Sequence, residues 1–475
     1  MTQLQPPREG HNVLDTDKIG SLLVKLSMPA FLGMFVQTLY NVVNTIFVGH
    51  EVGPLGIAGL SIVFPLHMLG MGMGMMVGIG GMSLISRYIG ERRIDDAEKA
   101  LGNGLAIGIG VSILVLIAIL PFIDFWLTLI GASADVLPYA RDYLTIIMYA
   151  LLFQVFSTAL LNFSRAEGNT RVGMIAMILG AGVNILFDYI FIVWLDYGVK
   201  GAGWATFIAQ VVSVIVFAFY YWNGNSYLKI RVKNLKLDIK IIRPMFAIGI
   251  GAFMQTFASS ISSMLVINMV VTYGGDYALS AFGIVQRVLM FGIMPALVIG
   301  QGMQPILGYN YGAKRYGLAL KVTRIAMLSS IVFSLAAFLI VYFIPEPIMR
   351  IFTDDAELLA IGSAAARLMF LGMPLIGPIT VGTTVFQAIG KAVPAFLASV
   401  MRPVGFLIPI VLILPPILGL DGVWLAFPGS DFFTFLLVIA FLIPVVKALR
   451  EKSRSSDYSD TGFGNIKSVP ADMDI

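Results

Sequence analysis

Apolar stretches long enough to cross a lipid bilayer recur from Leu22 to Val446, and they leave the chain little choice of fold. One crossing by an α-helix needs about 20 apolar residues. No water reaches the backbone inside lipid, so each such run must satisfy its own peptide groups as a helix. The pattern predicts helices at 21–48, 55–86, 97–121, 136–164, 170–195, 201–222, 241–272, 278–309, 317–343, 357–388, 393–416 and 422–446. The expected fold is all-α: a polytopic membrane protein of twelve transmembrane helices in two pseudo-symmetric six-helix lobes. Only 12% of the residues are charged, against about 25% in soluble domains. There is no cysteine, which excludes disulfides and thiolate metal sites. The segment before Ser21 is polar and lacks the apolar core of a signal peptide.

Charge asymmetry predicts the orientation. Basic residues gather in alternate connections: Arg87, Arg92, Arg93 and Lys99, then Arg165 and Arg171, then Lys229 to Arg243, then Lys314 to Arg324, then Lys391 and Arg402. The opposite connections carry mostly acids, such as Glu51, Asp196, Asp276, Asp354 and Asp421. By the positive-inside rule both termini are cytoplasmic, and a plasma-membrane location is expected. The net charge of +4 is spread over many short loops, so no nucleic-acid partner is expected.

The halves repeat. Gly81-Met82 returns as Gly302-Met303, and Arg165-Ala166-Glu167-Gly168 returns as Gln387-Ala388-Ile389-Gly390, at nearly the same offset. The expected organisation is a cytoplasmic N-terminal segment (1–20), an N-lobe (21–222), a cytoplasmic linker (223–240), a C-lobe (241–446) and a disordered cytoplasmic tail (447–475). Parallel repeats of this kind are a transporter architecture. Two fused lobes need no partner copy, and a monomer is expected.

Within the fifth predicted helix stands the segment Asn184-Ile185-Leu186-Phe187-Asp188. A carboxylate in such a run costs about 2.5–3.5 kcal/mol on insertion scales, so it is a functional candidate by default. Asn184 precedes it by four residues and shares its helix face.

The chain resembles the multidrug and toxic compound extrusion (MATE) family, and its DinF-like branch most. The resemblance is carried by Gln37-Thr38-Leu39-Tyr40-Asn41, Asn44-Thr45-Ile46-Phe47-Val48-Gly49, Arg165-Ala166-Glu167-Gly168-Asn169, Asn184 to Asp188 and Gln387-Ala388-Ile389-Gly390. It implies a V-shaped pair of lobes that exports organic cations and amphipathic drugs against H⁺ or Na⁺. In the DinF-like branch it implies an ion site in the first lobe. That site combines a helix 5 acid with a nearby Asn (Asp188, Asn184), a helix 1 acid and a helix 6 hydroxyl (Thr206). It also implies a proline bend in helix 1 (Pro29). Asn44 stands where the family usually has Asp, which removes one negative charge. If sodium is the coupling ion, Asp188 and Asn184 are the expected metal ligands. No other cofactor is expected.

Depth along the predicted helices gives the remaining candidates. Asp188, Asn44 and Thr206 fall at similar distances from one membrane face, and Gln154 lies opposite Asn184 across the helix 4–5 hairpin. Gln37 and Tyr40 share a helix 1 face with Asn44 and are candidates for the substrate cavity. Met68 and Met71 join them, because methionine makes adaptable surfaces. Arg287 needs a partner at membrane depth, and Asp431 is the predicted one. His67 is read as a hydrogen-bonded membrane histidine. No phosphate-binding loop ends in Gly-Lys-Ser/Thr, and His11, His50 and His67 are scattered. The chain is therefore expected to be no enzyme and no primary pump. The expected function is a secondary antiporter exporting amphipathic, cationic compounds by alternating access. The alternative is a flippase for a lipid or lipid-linked saccharide, and a third class is a passive channel.

Overall fold

The computed structural model describes residues 13–51, 54–224 and 226–462, without the side chains at 41, 42, 44–46, 48–50, 54, 57 and 456–462. Among these residues eleven helical stretches are long and apolar enough to span a membrane. They are α1 (Ile19–Glu51), α2 (Pro54–Gly90), α3 (Ile94–Ile130), α4 (Leu137–Ala166), α5 (Thr170–Trp194), α6 (Gly198–Trp222), a long stretch Ile239–Gly312, α9 (Tyr316–Phe343), α10 (Ala356–Ala388), α11 (Ala392–Leu418) and α12 (Leu420–Gly462). The stretch Ile239–Gly312 has 74 residues, far more than the roughly 20 a single crossing needs. It breaks at Gly275, whose φ of 66° suits glycine. Residues 239–274 form α7 and 276–312 form α8, so the described chain crosses twelve times.

The repeat is written in the backbone. α3 and α9 begin at Ile94 and Tyr316, α5 and α11 at Thr170 and Ala392, and α6 and α12 at Gly198 and Leu420, all three pairs at one constant offset. Left-handed residues recur at the same offset: Arg92 with Lys314, both at φ 59°, and Gly168 with Gly390, at 85° and 78°.

The lobes join at one end. A shared core runs from Leu14 and Leu26 through Met82, Ile85 and Phe163 to Met303, Val385 and Leu442. Toward the opposite end the core divides. Val63, Leu144, Ile192 and Val199 pack within the first half, and Val266, Phe282, Met369 and Trp424 within the second. At the joined end α2 and α8 cross backbone to backbone. A Cβ on Gly90 would lie 2.1 Å from the Tyr309 carbonyl oxygen, and one on Gly312 would lie 2.2 Å from that of Arg87. Only glycine permits this approach. The joined end also carries the linker. Asn103 of α3 straps it down, donating to the Asn234 and Lys236 carbonyls at 3.1 Å each and accepting from the Asp238 N–H at 2.7 Å.

Two boundaries differ from the sequence expectation. The third helix does not stop near 121 but passes through a tight turn at Leu120–Phe122 and continues to Ile130. The last helix does not end at 446 with a disordered tail: it continues to Gly462. Its extension is docked, because Leu449 is buried and the Lys452 ammonium sits over the Tyr311 and Tyr316 rings at 5.9 and 5.4 Å. Residues 463–475 lie outside the described chain.

Candidate functional site

Asp188 is the last α-helical residue before a π-helical turn, Tyr189–Trp194, at the end of α5. Such turns widen the helix and recur at functional sites. Asp188 is completely buried and Asn184 nearly so. With the Asn184 amide turned to satisfy both its ends, its nitrogen donates to Asp188 Oδ2 at 3.0 Å. Its oxygen then accepts from the Thr206 backbone N–H of α6 at 3.2 Å. The Thr206 hydroxyl donates to the Ala202 carbonyl at 2.9 Å. Among the described residues Asp188 Oδ1 has no hydrogen-bond partner.

Asn184 and Thr206 form part of the wall of a cavity of about 100 Å³, enough for water or a small ion. The wall mixes apolar side chains such as Met71, Met177 and Phe217 with polar ones: Gln37 and Tyr40 from α1, Gln154, Ser157 and Thr158 from α4, and Gln210 and Ser213 from α6. Ser157 donates to Gln210 Oε1 at 2.8 Å. The Tyr40 hydroxyl faces Gln37 and lies within electrostatic reach of Asp188. The structure thus brings together Asp188, Asn184, Thr206, Gln37, Tyr40, Gln154 and Met71. Gln154 shares the cavity, but its hydrogen-bond partner is His67 rather than the carboxylate. Met68 is half-buried on α2 and takes no part in the wall. The Asn44 side chain lies outside the described residues. Pro29 interrupts the hydrogen-bond ladder of α1. Its neighbour Ala30 packs against Met294 and Val298 of α8, so this point of α1 bears on the other lobe.

The expected Arg287–Asp431 ion pair is not formed. Arg287 is exposed on α8, and Asp431 pairs with Arg402 of α11, whose Nε donates to Asp431 Oδ1 at 2.6 Å. Arg402, a loop charge by its sequence setting, lies ten residues inside α11 on a second π-helical turn, Met401–Leu407. Two residues of the site, one in the cavity wall and one near Asp188, escape a reading of the sequence. Gln210 follows Thr206 by four residues, and that spacing is a usable signal. Tyr143 of α4, buried beside Thr206 and within electrostatic reach of Asp188, gives none.

The MatE family model matches residues 29–190 and again residues 252–413, once in each half. The chain belongs to the MatE family. Members of this family are transporters and not enzymes, in keeping with a multi-pass membrane protein. The multidrug export protein MepA of Staphylococcus aureus (strain MSSA476) is 25% identical over 401 residues, 84% of this chain and 88% of that relative. DinF-BH, a MATE multidrug transporter solved with a bound ligand, is 38% identical with a TM-score of 0.86. The match covers 93% of this chain and 98% of that one. A MATE structure in a bent conformation shares the fold at 24% identity and a TM-score of 0.88, over 94% of this chain and 100% of that one.

Proposed function

We propose that this MatE-family chain is a plasma-membrane antiporter that exports amphipathic, cationic drugs in exchange for protons, with both termini in the cytoplasm. The observation that carries the reading is Asp188: a wholly buried carboxylate at membrane depth, bonded through one oxygen and unpartnered at the other among the described residues. A buried charge without a counter-charge is costly, so the site favours a state in which a cation has neutralised it.

A proton suits the site better than Na⁺. One proton on Oδ1 removes the charge with a single bond. Na⁺ needs several oxygens converging on one point, as hard cations do. Here the Asn184 oxygen is turned to the Thr206 N–H, and it is the amide nitrogen that faces Asp188.

With the termini inside, the divided end of the two lobes faces outward. Proton uptake at Asp188 and drug binding between the lobes then favour opposite states, and a ligand shifts such an equilibrium only by its differential affinity. Pro29 offers α1 a place to bend against α8 as the site changes charge. The names of the relatives, MepA and DinF-BH, support drug export, and nothing in the comparisons favours a lipid flippase.

The test is dye efflux from proteoliposomes under an imposed proton gradient, with and without sodium. Wild type exports under the proton gradient alone, and Asp188→Asn loses at least tenfold in rate. Export that requires a sodium gradient, or an Asp188→Asn variant that pumps normally, overturns the proposal.

A further inference from the structure

The second lobe encloses a chamber of about 320 Å³, within the range of small-molecule sites. Its wall carries Gln255, Ser259 and Ser263 of α7, Gln286 of α8, Arg402 of α11 and Asp431 of α12. At the offset that carries Ile94 to Tyr316, Ser259, Arg402 and Asp431 fall on Gln37, Gly180 and Ala209, all in the wall of the smaller N-lobe cavity. The two chambers are counterparts. Where the first wall is uncharged, the second holds a guanidinium and a carboxylate.

That pair is lopsided. The Asp431 side chain is 2% exposed and that of Arg402 is 34% exposed. A guanidinium has five N–H donors, and among the described residues Arg402 commits only Nε, to Asp431. The rest of the fork opens on the chamber. The backbone is arranged around it. The π-helical turn begins one residue before Arg402, and the Pro403 carbonyl accepts from Ser262 Oγ of α7 at 2.8 Å. A Cβ on Gly372 would lie 2.3 Å from Asp431 Oδ2, so a larger residue on α10 would displace the carboxylate. Arg402 stands ten residues into α11, about 15 Å at 1.5 Å per residue, midway through a hydrocarbon layer of about 30 Å. Ionic groups at that depth are costly and mark function by default. A pair kept only for packing is replaceable by apolar residues without loss, and it would not leave one partner open.

We propose that Arg402 is the specificity-determining residue of this chamber, its free edge holding a carboxylate carried by the transported molecule. The guanidinium fork matches a carboxylate bidentately. Shared between that group and Asp431, Arg402 leaves one net negative charge, which the cationic part of the same molecule offsets. A zwitterion is thus the class that fits, rather than a simple anion. The inference rests on the export reading for its transport step but not for binding.

The test uses the full chain in phosphatidylcholine nanodiscs and two rhodamine dyes, a cationic ester and the free acid of the same ring system. Binding is read by fluorescence polarisation. Arg402→Gln weakens the acid at least tenfold and the ester less than twofold. Because that variant leaves Asp431 without its partner, the neutral double variant Arg402→Gln/Asp431→Asn is measured beside it and shows the same selective loss. Folded variants that keep the wild-type acid-to-ester ratio overturn the proposal. Replacing part of the lipid with phosphatidylglycerol leaves acid binding unchanged. A tenfold weakening there makes a lipid phosphate the occupant and also overturns it. Failure of the export reading is distinguishable: wild type then moves neither dye out of proteoliposomes under any imposed gradient, while the Arg402-dependent preference for the acid persists in binding.

Discussion

The two lobes share a frame and differ in their charges. Helix starts and left-handed turns recur at one constant offset, yet at that offset Asp188 is matched by Ile410, Asn184 by Phe406 and Thr206 by Pro428. In return the second lobe has Arg402 and Asp431 where the first has Gly180 and Ala209. Each lobe carries a π-helical turn beside its buried charge, in α5 and in α11. The difference separates two kinds of intramembrane carboxylate. Asp188 has no cationic partner among the described residues, so a mobile cation can discharge it. Asp431 already has its cation, and protonating it would leave Arg402 unpaired in the membrane. The two lobes hold equivalent cavities, and only the first lobe has, next to its cavity residue Asn184, a buried carboxylate with no cationic partner among the described residues.

The sharpest way to break this comparison is to remove each acid and measure thermal unfolding in detergent. Breaking a buried pair by deleting one partner costs about 3–5 kcal/mol. Asp431→Ala should fall toward the low end, because Arg402 is a third open to the chamber. Asp188→Asn removes an unpaired charge and should leave the melting temperature unchanged or higher. Equal losses at both positions would mean that Asp188 has a structural counter-charge after all.

A second contrast lies in the turns at the joined end. Glu167 follows α4, and its counterpart after α10 is Ile389. The Glu167 carboxylate is buried; its Oε2 accepts from Ser226 Oγ at 2.7 Å, the Tyr227 N–H at 2.9 Å and the Tyr220 hydroxyl at 3.0 Å. Burial pushes its carboxyl up to about 7, against the lowering effect of these donors. The folded chain therefore holds this proton more tightly than the unfolded chain. The contribution is fully present below pH 4.5 and is lost as pH rises through about 7. At about 1.4 kcal/mol per pH unit it amounts to about 3 kcal/mol. Glu167→Gln should flatten the fall in stability between pH 4.5 and 7, whereas Ile389→Gln should leave that fall in place. A Glu167→Gln profile that superimposes on wild type would show that this turn carries no such linkage.

Where the lobes are alike, their variants should match. Gly90→Ala and Gly312→Ala each drive a methyl group into the other helix's carbonyl, and overpacking of this kind costs about 1–3 kcal/mol. The two losses should be similar in size, because the two contacts are counterparts in one crossing. A large inequality would show that the crossing of α2 and α8 is not symmetric in energy.

The frame was legible because its signals are local. Apolar runs of membrane length marked the helices, the gap between the runs at 241–272 and 278–309 marked the break between α7 and α8, and a spacing of four put Asn184 and Asp188 on one face. The pairing of Asp431 was not legible. Depth along a helix does not say which neighbour faces it, and Arg287 and Arg402 were both within reach of that argument. Arg402 was also disguised, since a basic residue near a loop reads as a loop charge, and the π-helical turn that carries it leaves no periodic trace. The extension of α12 was hidden for a related reason. Its polar residues have no apolar stripe, and Lys452 is held by two tyrosines far away in sequence.

The smallest expected effect tests which part of Thr206 matters. Its side chain was the sequence candidate, but the hydroxyl is spent on the Ala202 carbonyl one turn back and on Tyr143, not on Asp188. What steadies Asn184, and through it Asp188, is the Thr206 backbone N–H at 3.2 Å. Pro428, the counterpart in the second lobe, has no N–H to offer. Thr206→Val keeps the N–H and the volume and removes only a hydroxyl, so the loss should be about 1 kcal/mol or less, a slowing of proton-driven efflux of at most about fivefold. Asn184→Leu removes the bond to the carboxylate, worth about 1.5–3 kcal/mol for a charged partner, and should slow efflux more than tenfold. If the two variants are equally impaired, the hydroxyl and not the backbone holds the site. The loss of an N–H at Pro428 would then no longer help to explain why the second lobe has no Asn–Asp pair.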